Sequence, residues 1–104
     1  MDKVIHLTAA AFDEAIAKDV PVFVDFWATW CGPCRMQGPI MEELDEAHEG
    51  QIKVCKVDVD AEPGLAQRFG VMSIPTIIWF QDGRQTGKAV GVQSLQQLEA
   101  GAGL

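Results

Sequence analysis

The fold of this chain is constrained most by the pentapeptide WCGPC at positions 30–34. It follows an apolar run, Val22–Ala28, and it opens a segment with helical periodicity. A strand therefore delivers two cysteines to the first turn of a helix. Side chains three residues apart on a helix have Cβ atoms about 5–6 Å apart, and a disulfide needs Cα atoms roughly 4.4–6.8 Å apart. Cys31 and Cys34 can therefore form and break a disulfide with little backbone movement.

The chemistry of a helix start favours reactivity at the first cysteine. Pro33 suits the first helical turn, where its missing N–H is no loss. Cys31 then lies where unpaired N–H groups and the helix dipole favour an anion. The thiolate is the form that attacks disulfides. The spacing, the preceding strand and the following helix together predict a thiol–disulfide redox site.

Length, charge and cysteine content exclude several classes of protein. The 104 residues predict a single domain, 1–104. A net charge of −7 disfavours nucleic acid and anionic membrane surfaces as partners. No apolar run reaches the ~20 residues that a membrane helix needs. Three cysteines with one close pair do not form a structural disulfide framework. The sequence at Met1 lacks the apolar region of a signal peptide, so we expect a monomeric cytoplasmic protein, with an exported or organellar form left open.

Asp25 interrupts an otherwise apolar strand, and the apolar run predicts that both faces of this strand are covered. A buried carboxylate is costly to ionise, so its pKa should rise. Two interpretations stay open: a structural acid paired with a neighbour, or a proton donor and acceptor beside the cysteines. We favour the second, because this strand feeds the cysteine pair. Lys56 sits mid-strand among apolar residues, and the sequence leaves open whether it lies near Asp25.

The remaining periodicities predict the order β-α-β-α-β-α-β-β-α. The first three strands alternate with helices and should be parallel, and the turn Asp82-Gly83 should join the last two as an antiparallel hairpin. The result is an α/β fold, a mixed sheet with helices on both faces. The predicted elements are strand 4–7, helix 8–18, strand 21–28, helix 31–49, strand 52–59, helix 62–69, a strand within 71–80, a strand to about 90 and a helix after Ser94.

Several side chains receive structural interpretations. Met36, Ile40 and Leu44, with Met41 beside them, should form the buried stripe of the second helix, which Pro39 should kink. Further expectations are a solvated His48, His6 as a polar strand residue rather than a ligand or base, Cys55 as a buried inert thiol, and a tail, 101–104, that frays.

The chain resembles the thioredoxin family in nearly its whole length. A lone C-x-x-C would be weak support, but WCGPC with a later Ile74-Pro75-Thr76 is specific. The resemblance implies the thioredoxin fold, a five-stranded mixed sheet flanked by four helices, and a protein-disulfide reductase. The matching positions are Val24–Ala28, Trp30–Cys34, Pro39, Lys56, Asp58, Asp60, Pro63, Ile74–Thr76, Asp82-Gly83 and Val90-Gly91.

The resemblance also implies roles for individual residues. Cys31 carries over as the exposed nucleophile and Cys34 as the buried resolving thiol. Asp25 carries over as the acid–base group and Lys56 as its modulator. Pro75 should be cis, and the Ile74 backbone should pair with the bound protein. The docking surface should be framed by Trp27, Trp30, Gly32, Pro33 and Gly91.

The implied electron route needs no bound cofactor and no metal. Electrons come from NADPH through a separate thioredoxin reductase, and they pass to disulfide-containing partner proteins. The chain departs from the family pattern at Arg35, Ser73 and Trp79, and in a short, glycine-tailed last helix.

Four other functions compete with this interpretation. A zinc module needs four ligands, and His6, His48 and Cys55 are not at ligand spacing. Haem attachment requires a histidine where Arg35 stands. A non-catalytic binding module, or an oxidant or isomerase of the same fold, stays open, although the dipeptide Gly32-Pro33 is the reductant type in this family.

Overall fold

The computed structural model describes residues 4–104 and has the predicted order of elements. Most elements are one or two residues shorter at each end than their sequence patterns indicate. The bounds are β1 Ile5–His6, α1 Ala9–Ile16, β2 Val22–Trp27, α2 Gly32–Ala47, β3 Lys53–Asp58, α3 Pro63–Arg68, β4 Thr76–Gln81, β5 Arg84–Val90 and α4 Leu95–Gly101.

The five strands form one mixed sheet in the order β1-β3-β2-β4-β5. Strands β1, β2 and β3 are parallel, and β4 and β5 form an antiparallel hairpin, as predicted. Strand β4 also runs antiparallel to β2. The β4–β5 turn has positive φ at Asp82 (54°) and Gly83 (80°), the signature of a type I′ hairpin turn. Strand β2 therefore lies at the centre of the sheet and ends beside the cysteine pair.

Alternation along β2 divides the interior into two cores. Val22, Val24 and Phe26 face α1 and α3, where they pack with Phe12, Ile16 and Leu65. Phe23 faces α2 and α4, where it packs with Met41, Leu44 and Leu98. Because side chains alternate along a strand, Asp25 shares the face of Phe23 and lies under α2. The predicted burial of Asp25 is confirmed, since it is 1% exposed.

The buried stripe of α2 differs from the predicted one. Cys34, Gln37, Met41 and Leu44 are buried, whereas Met36 is 64% exposed. The prediction that Met36 is buried was wrong because the buried face of the helix was inferred from the positions of its apolar residues alone. Positions three, seven and ten residues after the buried Cys34 share its face, and a position two residues after it lies on the opposite side. The helix continues through Pro39.

A side-chain hydrogen bond that was not predicted joins the C-terminal ends of α2 and α4. His48 Nε2 lies 2.7 Å from Glu99 Oε2, and the His48 side chain is only 17% exposed, so the prediction of a solvated histidine was wrong. The tail is also hydrogen-bonded: Leu104 N donates to Glu99 O at 2.8 Å. The His48–Glu99 contact joins residues 51 positions apart and could not be derived from the spacing within either helix.

Trp79 requires glycine-sized residues at two positions that face its ring, Gly87 and Gly101. Its ring lies 5.8 Å from that of Phe23, and the side chain is 7% exposed. A Cβ on Gly87 would overlap the Trp79 indole, and a Cβ on Gly101 would approach it to 2.9 Å. The bulky residue in β4 and the small residues opposite it are therefore complementary.

Candidate active site

The two cysteines lie at the junction of β2 and α2, as the sequence predicts. They form a disulfide with Cα atoms 5.2 Å apart. Cys31 is the N-cap residue of α2, and the Cys34 backbone N–H lies 3.2 Å from Cys31 Sγ. A helix N-terminus stabilises negative charge on an atom held in this position. When the disulfide is reduced, the geometry therefore favours the Cys31 thiolate.

Both cysteines are buried in this disulfide form, at 4% exposure each. The expected exposure of Cys31 is therefore not seen here. Its sulfur packs in a small cluster with Ala28, Cys34 and Ile74, and lies 3.8 Å from Ile74 O. The loop before β4 thus covers the disulfide from one side, a contact between residues far apart in sequence.

The two cysteines nevertheless face different cavities. Cys31 lines a surface groove of about 460 Å³, called here the Cys31 groove. Cys34 lines a second cavity of about 450 Å³, the Cys34 cavity. The Cys31 groove is lined by Trp30, Cys31, Gly32, Pro33, Val59, Val71, Met72, Ser73 and Ile74. The Cys34 cavity is lined by Trp27, Ala28, Thr29, Cys34, Arg35, Gly38, Pro39, Glu42 and Lys56.

The Cys31 groove carries no charged side chain, and its rim is apolar. Trp30 is 66% exposed, and its Nε1 donates to Asp60 Oδ2 at 2.8 Å. Met72 is 97% exposed. Sequence reasoning assigned no role to Met72 or Asp60, although Met72 lies just before Ile74-Pro75. The groove can accommodate an uncharged stretch of polypeptide beside Cys31.

The loop before β4 is held in place at Pro75. The Ile74–Pro75 peptide is cis, as the resemblance implies. Gly91 N donates to Pro75 O at 2.8 Å, and Thr76 Oγ1 donates to Ser73 O at 2.6 Å. Gly91 has φ +90°, which strongly favours glycine. The loops around Pro75 and Gly91 are therefore joined directly beside the cysteine pair.

Asp25 is a buried titratable group on β2, in register with Lys56, whose side chain lines the Cys34 cavity. Burial raises the pKa of its carboxyl from 3.8 to about 7, and the positive charge of Lys56 partly opposes this rise. Neither carboxylate oxygen accepts a hydrogen bond from residues 4–104. The strand register pairs Asp25 with Lys56, which answers the question that the sequence left open. Asp25 can therefore gain or lose a proton near neutral pH.

Trp27 lies on the Cys34 side of the site. It lines the Cys34 cavity rather than the Cys31 groove, and Lys56 Nζ lies 4.9 Å from the centre of its ring. The His6 ring meets it edge-on at 6.3 Å. Together Trp27 and Lys56 form the wall of the Cys34 cavity that lies over β2 and β3.

Cys55 is separate from this site. It is 1% exposed in the core beneath α1 and α3, and burial raises the pKa of its thiol to about 11. The predicted burial of Cys55 is thus confirmed, and its lack of reactivity stays a prediction. Within residues 4–104, no group of three or more His, Cys, Asp or Glu side chains could hold a metal ion. No helix in that part of the chain is long and apolar enough to cross a membrane.

A disulfide pair at a helix N-terminus, covered by a cis-proline loop, is typical of the class of thiol–disulfide oxidoreductases. The sequence profile of the thioredoxin family matches residues 3–102. The chain is 52% identical over 94 residues to a thioredoxin of Alicyclobacillus acidocaldarius, covering 90% of each chain. It is 46% identical over 95 residues to a thioredoxin of Staphylococcus aureus, covering 91% of this chain and 90% of that relative.

The solved crystal structure of Malassezia sympodialis thioredoxin superposes with a TM-score of 0.87 at 32% identity, covering 99% of this chain and 90% of the other. The chain belongs to the thioredoxin family. It has the thioredoxin fold, and it is a thiol–disulfide oxidoreductase that acts as a protein-disulfide reductase. Thioredoxins need no bound cofactor, and their substrates are disulfide-containing proteins.

Proposed function

We propose that Cys31 is the nucleophile that attacks the partner's disulfide and that Cys34 resolves the mixed disulfide. One observation carries this assignment: Cys31 lines the uncharged groove, whereas Cys34 lines a separate cavity. The Cys31 thiolate bonds to one partner sulfur, and the other partner sulfur leaves as a thiolate. The short contact from Cys34 N to Cys31 Sγ supports the thiolate at this position.

In the second step the Cys34 thiol loses its proton and attacks Cys31 Sγ. The bond between Cys31 and the partner breaks, the partner leaves reduced, and a Cys31–Cys34 disulfide remains. We assign the proton to Asp25, directly or through water, with Lys56 as modulator of its pKa. A carboxyl with a pKa of about 7 has a large ionised fraction at neutral pH and can accept this proton.

The partner docks in an extended form along the Cys31 groove. We assign backbone pairing to Ile74, next to the cis bond of Pro75, because Ile74 O lies beside Cys31 Sγ. The exposed indole of Trp30 and the first turn of α2 offer apolar contact. We assign docking to Trp30, Gly32, Pro33 and Ile74, which line the Cys31 groove. We also assign it to three residues outside the lining of that groove, Trp27, Pro75 and Gly91.

A trapping experiment tests these roles. Cys34→Ser should accumulate a covalent adduct with a disulfide-containing protein such as insulin, joined through Cys31 and released by dithiothreitol. Cys31→Ser is the matched control and should form no such adduct. Wild-type turnover by Cys34→Ser would overturn the proposed order of steps.

The disulfide is returned to the dithiol form by NADPH through a separate thioredoxin reductase, in our proposal. The protein acts as a monomeric single domain, 1–104, in the reducing cytoplasm, and the reductant-type dipeptide between its cysteines supports this direction of electron flow. NADPH oxidation with a bacterial thioredoxin reductase and insulin measures this route. A reduction potential in the range of disulfide oxidants, rather than near that of the reductases, would contradict it.

A further inference from the structure

A buried glutamine on α2 forms two hydrogen bonds to a loop residue far along the chain, and no sequence pattern predicted them. Gln37 is 0% exposed and lies one turn after Cys34 on the buried face of the helix. Its Oε1 accepts from Gln93 N at 2.7 Å, and its Nε2 donates to Gln93 O at 3.1 Å. Because a backbone N–H only donates and a carbonyl only accepts, this pairing also fixes the orientation of the side-chain amide.

Gln93 belongs to the segment 91–93, called here the Gly91 loop, which joins β5 to α4. The side chain of Gln93 folds back over this loop, with Nε2 3.3 Å from Val90 O and 3.2 Å from Gly91 O. At its other end the loop is bonded to the cis-proline loop, through Gly91 N and Pro75 O. Gln37 therefore connects this loop to the helix that carries the cysteines.

We propose that Gln37 is a positioning residue for substrate docking: it holds the Gly91 loop at a set distance from the cysteine pair. This inference rests on the proposed docking surface, which includes Gly91. The inference predicts that loss of the Gln37 hydrogen bonds weakens the binding of a protein disulfide. The reactivity of the two thiols should not change.

The physical reason is that a protein partner must contact Cys31 and the loops beside it at the same time. Within residues 4–104, the side-chain hydrogen bonds of Gln37 go to the backbone of Gln93 and to Met41 Sδ. The side chain forms no hydrogen bond to either cysteine. An apolar residue at position 37 would leave the backbone N–H and C=O of Gln93 without the hydrogen bonds that the Gln37 side chain provides. The loop would then sample other positions, and binding would have to select the competent one.

The test uses Gln37→Met, which keeps the length and volume of the side chain and removes both hydrogen bonds. We expect KM for insulin to rise about fivefold, with kcat within twofold of wild type. The rate of Cys31 with the small disulfide 5,5′-dithiobis(2-nitrobenzoate) and the reduction potential should not change. Hydrogen exchange of the Gln93 amide should become at least about tenfold faster.

Two further variants separate this role from other causes. Leu44→Ala removes packing from the same buried face of α2, two turns further on, and should lower stability without raising KM. Gly91→Ala strains a position with φ +90° and should raise KM by itself if the loop belongs to the docking surface. A KM increase in Leu44→Ala equal to that in Gln37→Met would make the effect one of general stability and overturn the inference.

The remaining outcomes are equally decisive. Unchanged exchange of the Gln93 amide in Gln37→Met would mean that the two bonds do not hold the loop in solution. Faster exchange of the Gln93 amide with an unchanged KM in Gln37→Met would show that Gln37 does not position the loop for docking. A rise in KM accompanied by a slower reaction with the small disulfide would show the same. If Gly91→Ala raises KM and Gln37→Met does not, only this inference fails. If neither variant raises KM, the assignment of Gly91 to the docking surface fails as well.

Discussion

Replacing Asp25 with asparagine should stabilise the disulfide form of the protein above neutral pH and leave its stability almost unchanged in acid. Burial raises the pKa of this carboxyl from 3.8 to about 7. Between these values the folded protein keeps a proton that the unfolded chain releases. The free energy of unfolding of the wild type therefore falls as pH rises from about 4 to about 7 because of this group, and then levels off.

The magnitude follows from the same pKa. Each pKa unit corresponds to about 1.4 kcal/mol, so ionising Asp25 in the folded protein costs at most about 4 kcal/mol. The asparagine amide is itself polar, and neither Asp25 oxygen has a hydrogen-bond partner within residues 4–104, which reduces the gain in stability. We expect Asp25→Asn to be more stable than wild type by about 2–4 kcal/mol at pH 8, and by less than about 1 kcal/mol at pH 4.

Urea unfolding followed by circular dichroism, at one-unit steps from pH 4 to 9, measures this difference. Every other titrating group is common to both proteins, so the pH dependence of the difference reports Asp25 alone. The exposed Asp19→Asn is the matched control and should change stability by less than about 0.5 kcal/mol at every pH. A difference between Asp25→Asn and wild type that stays constant over this range would refute the reasoning.

The same variant should also separate the two chemical steps. At pH 7 Asp25→Asn should slow the release of a mixed disulfide by Cys34, because no carboxylate takes the proton, while the first attack by Cys31 stays within about twofold of wild type. Stopped-flow kinetics from pH 6 to 9 measures both. Equal resolving rates in the two proteins across this range would reduce Asp25 to a structural role.

Three further predictions concern the surroundings of the site and the core. Lys56→Met removes a positive charge that lowers the pKa of Asp25, so the midpoint of the Asp25 titration should move to higher pH, as measured by NMR of its carboxyl carbon. Gly87→Ala should destabilise the protein by about 1–3 kcal/mol in thermal unfolding, because the new methyl overlaps the Trp79 indole. In the reduced protein at pH 8, iodoacetamide should leave Cys55 unlabelled until the chain is unfolded, because this thiol is buried with a pKa of about 11.

Each of these has a control or a contrary outcome. Lys56→Arg keeps the charge and should leave the midpoint near that of the wild type; a downward shift in Lys56→Met would contradict the assigned charge effect. In a Trp79→Leu background, Gly87→Ala should cost less, and an equal cost would mean that the indole is not the cause. Labelling of Cys55 at the rate of an unfolded peptide would show that the core opens readily.

The order of elements and the redox pair could be predicted from the sequence because both depend on local spacing. The approach of Cys31 and Cys34 needs only a helical turn, and their Cα atoms are 5.2 Å apart as expected. The burial of Asp25 follows from its apolar neighbours on the same strand. The errors at Met36 and His48 arose where a helix was considered without its neighbours: one side chain points to solvent, and the other pairs with Glu99.

The sequence by itself determined where the cysteine pair lies, which strand leads to it, and that an acid is buried on that strand. Only the tertiary structure decided that Lys56 lies in register with Asp25, that a groove opens at Cys31 and another cavity at Cys34, and that Gln37 holds Gln93 from 56 positions away. The physical reason is that periodicity reports which face of an element is apolar, whereas strand order and helix docking decide which distant polar groups meet across it.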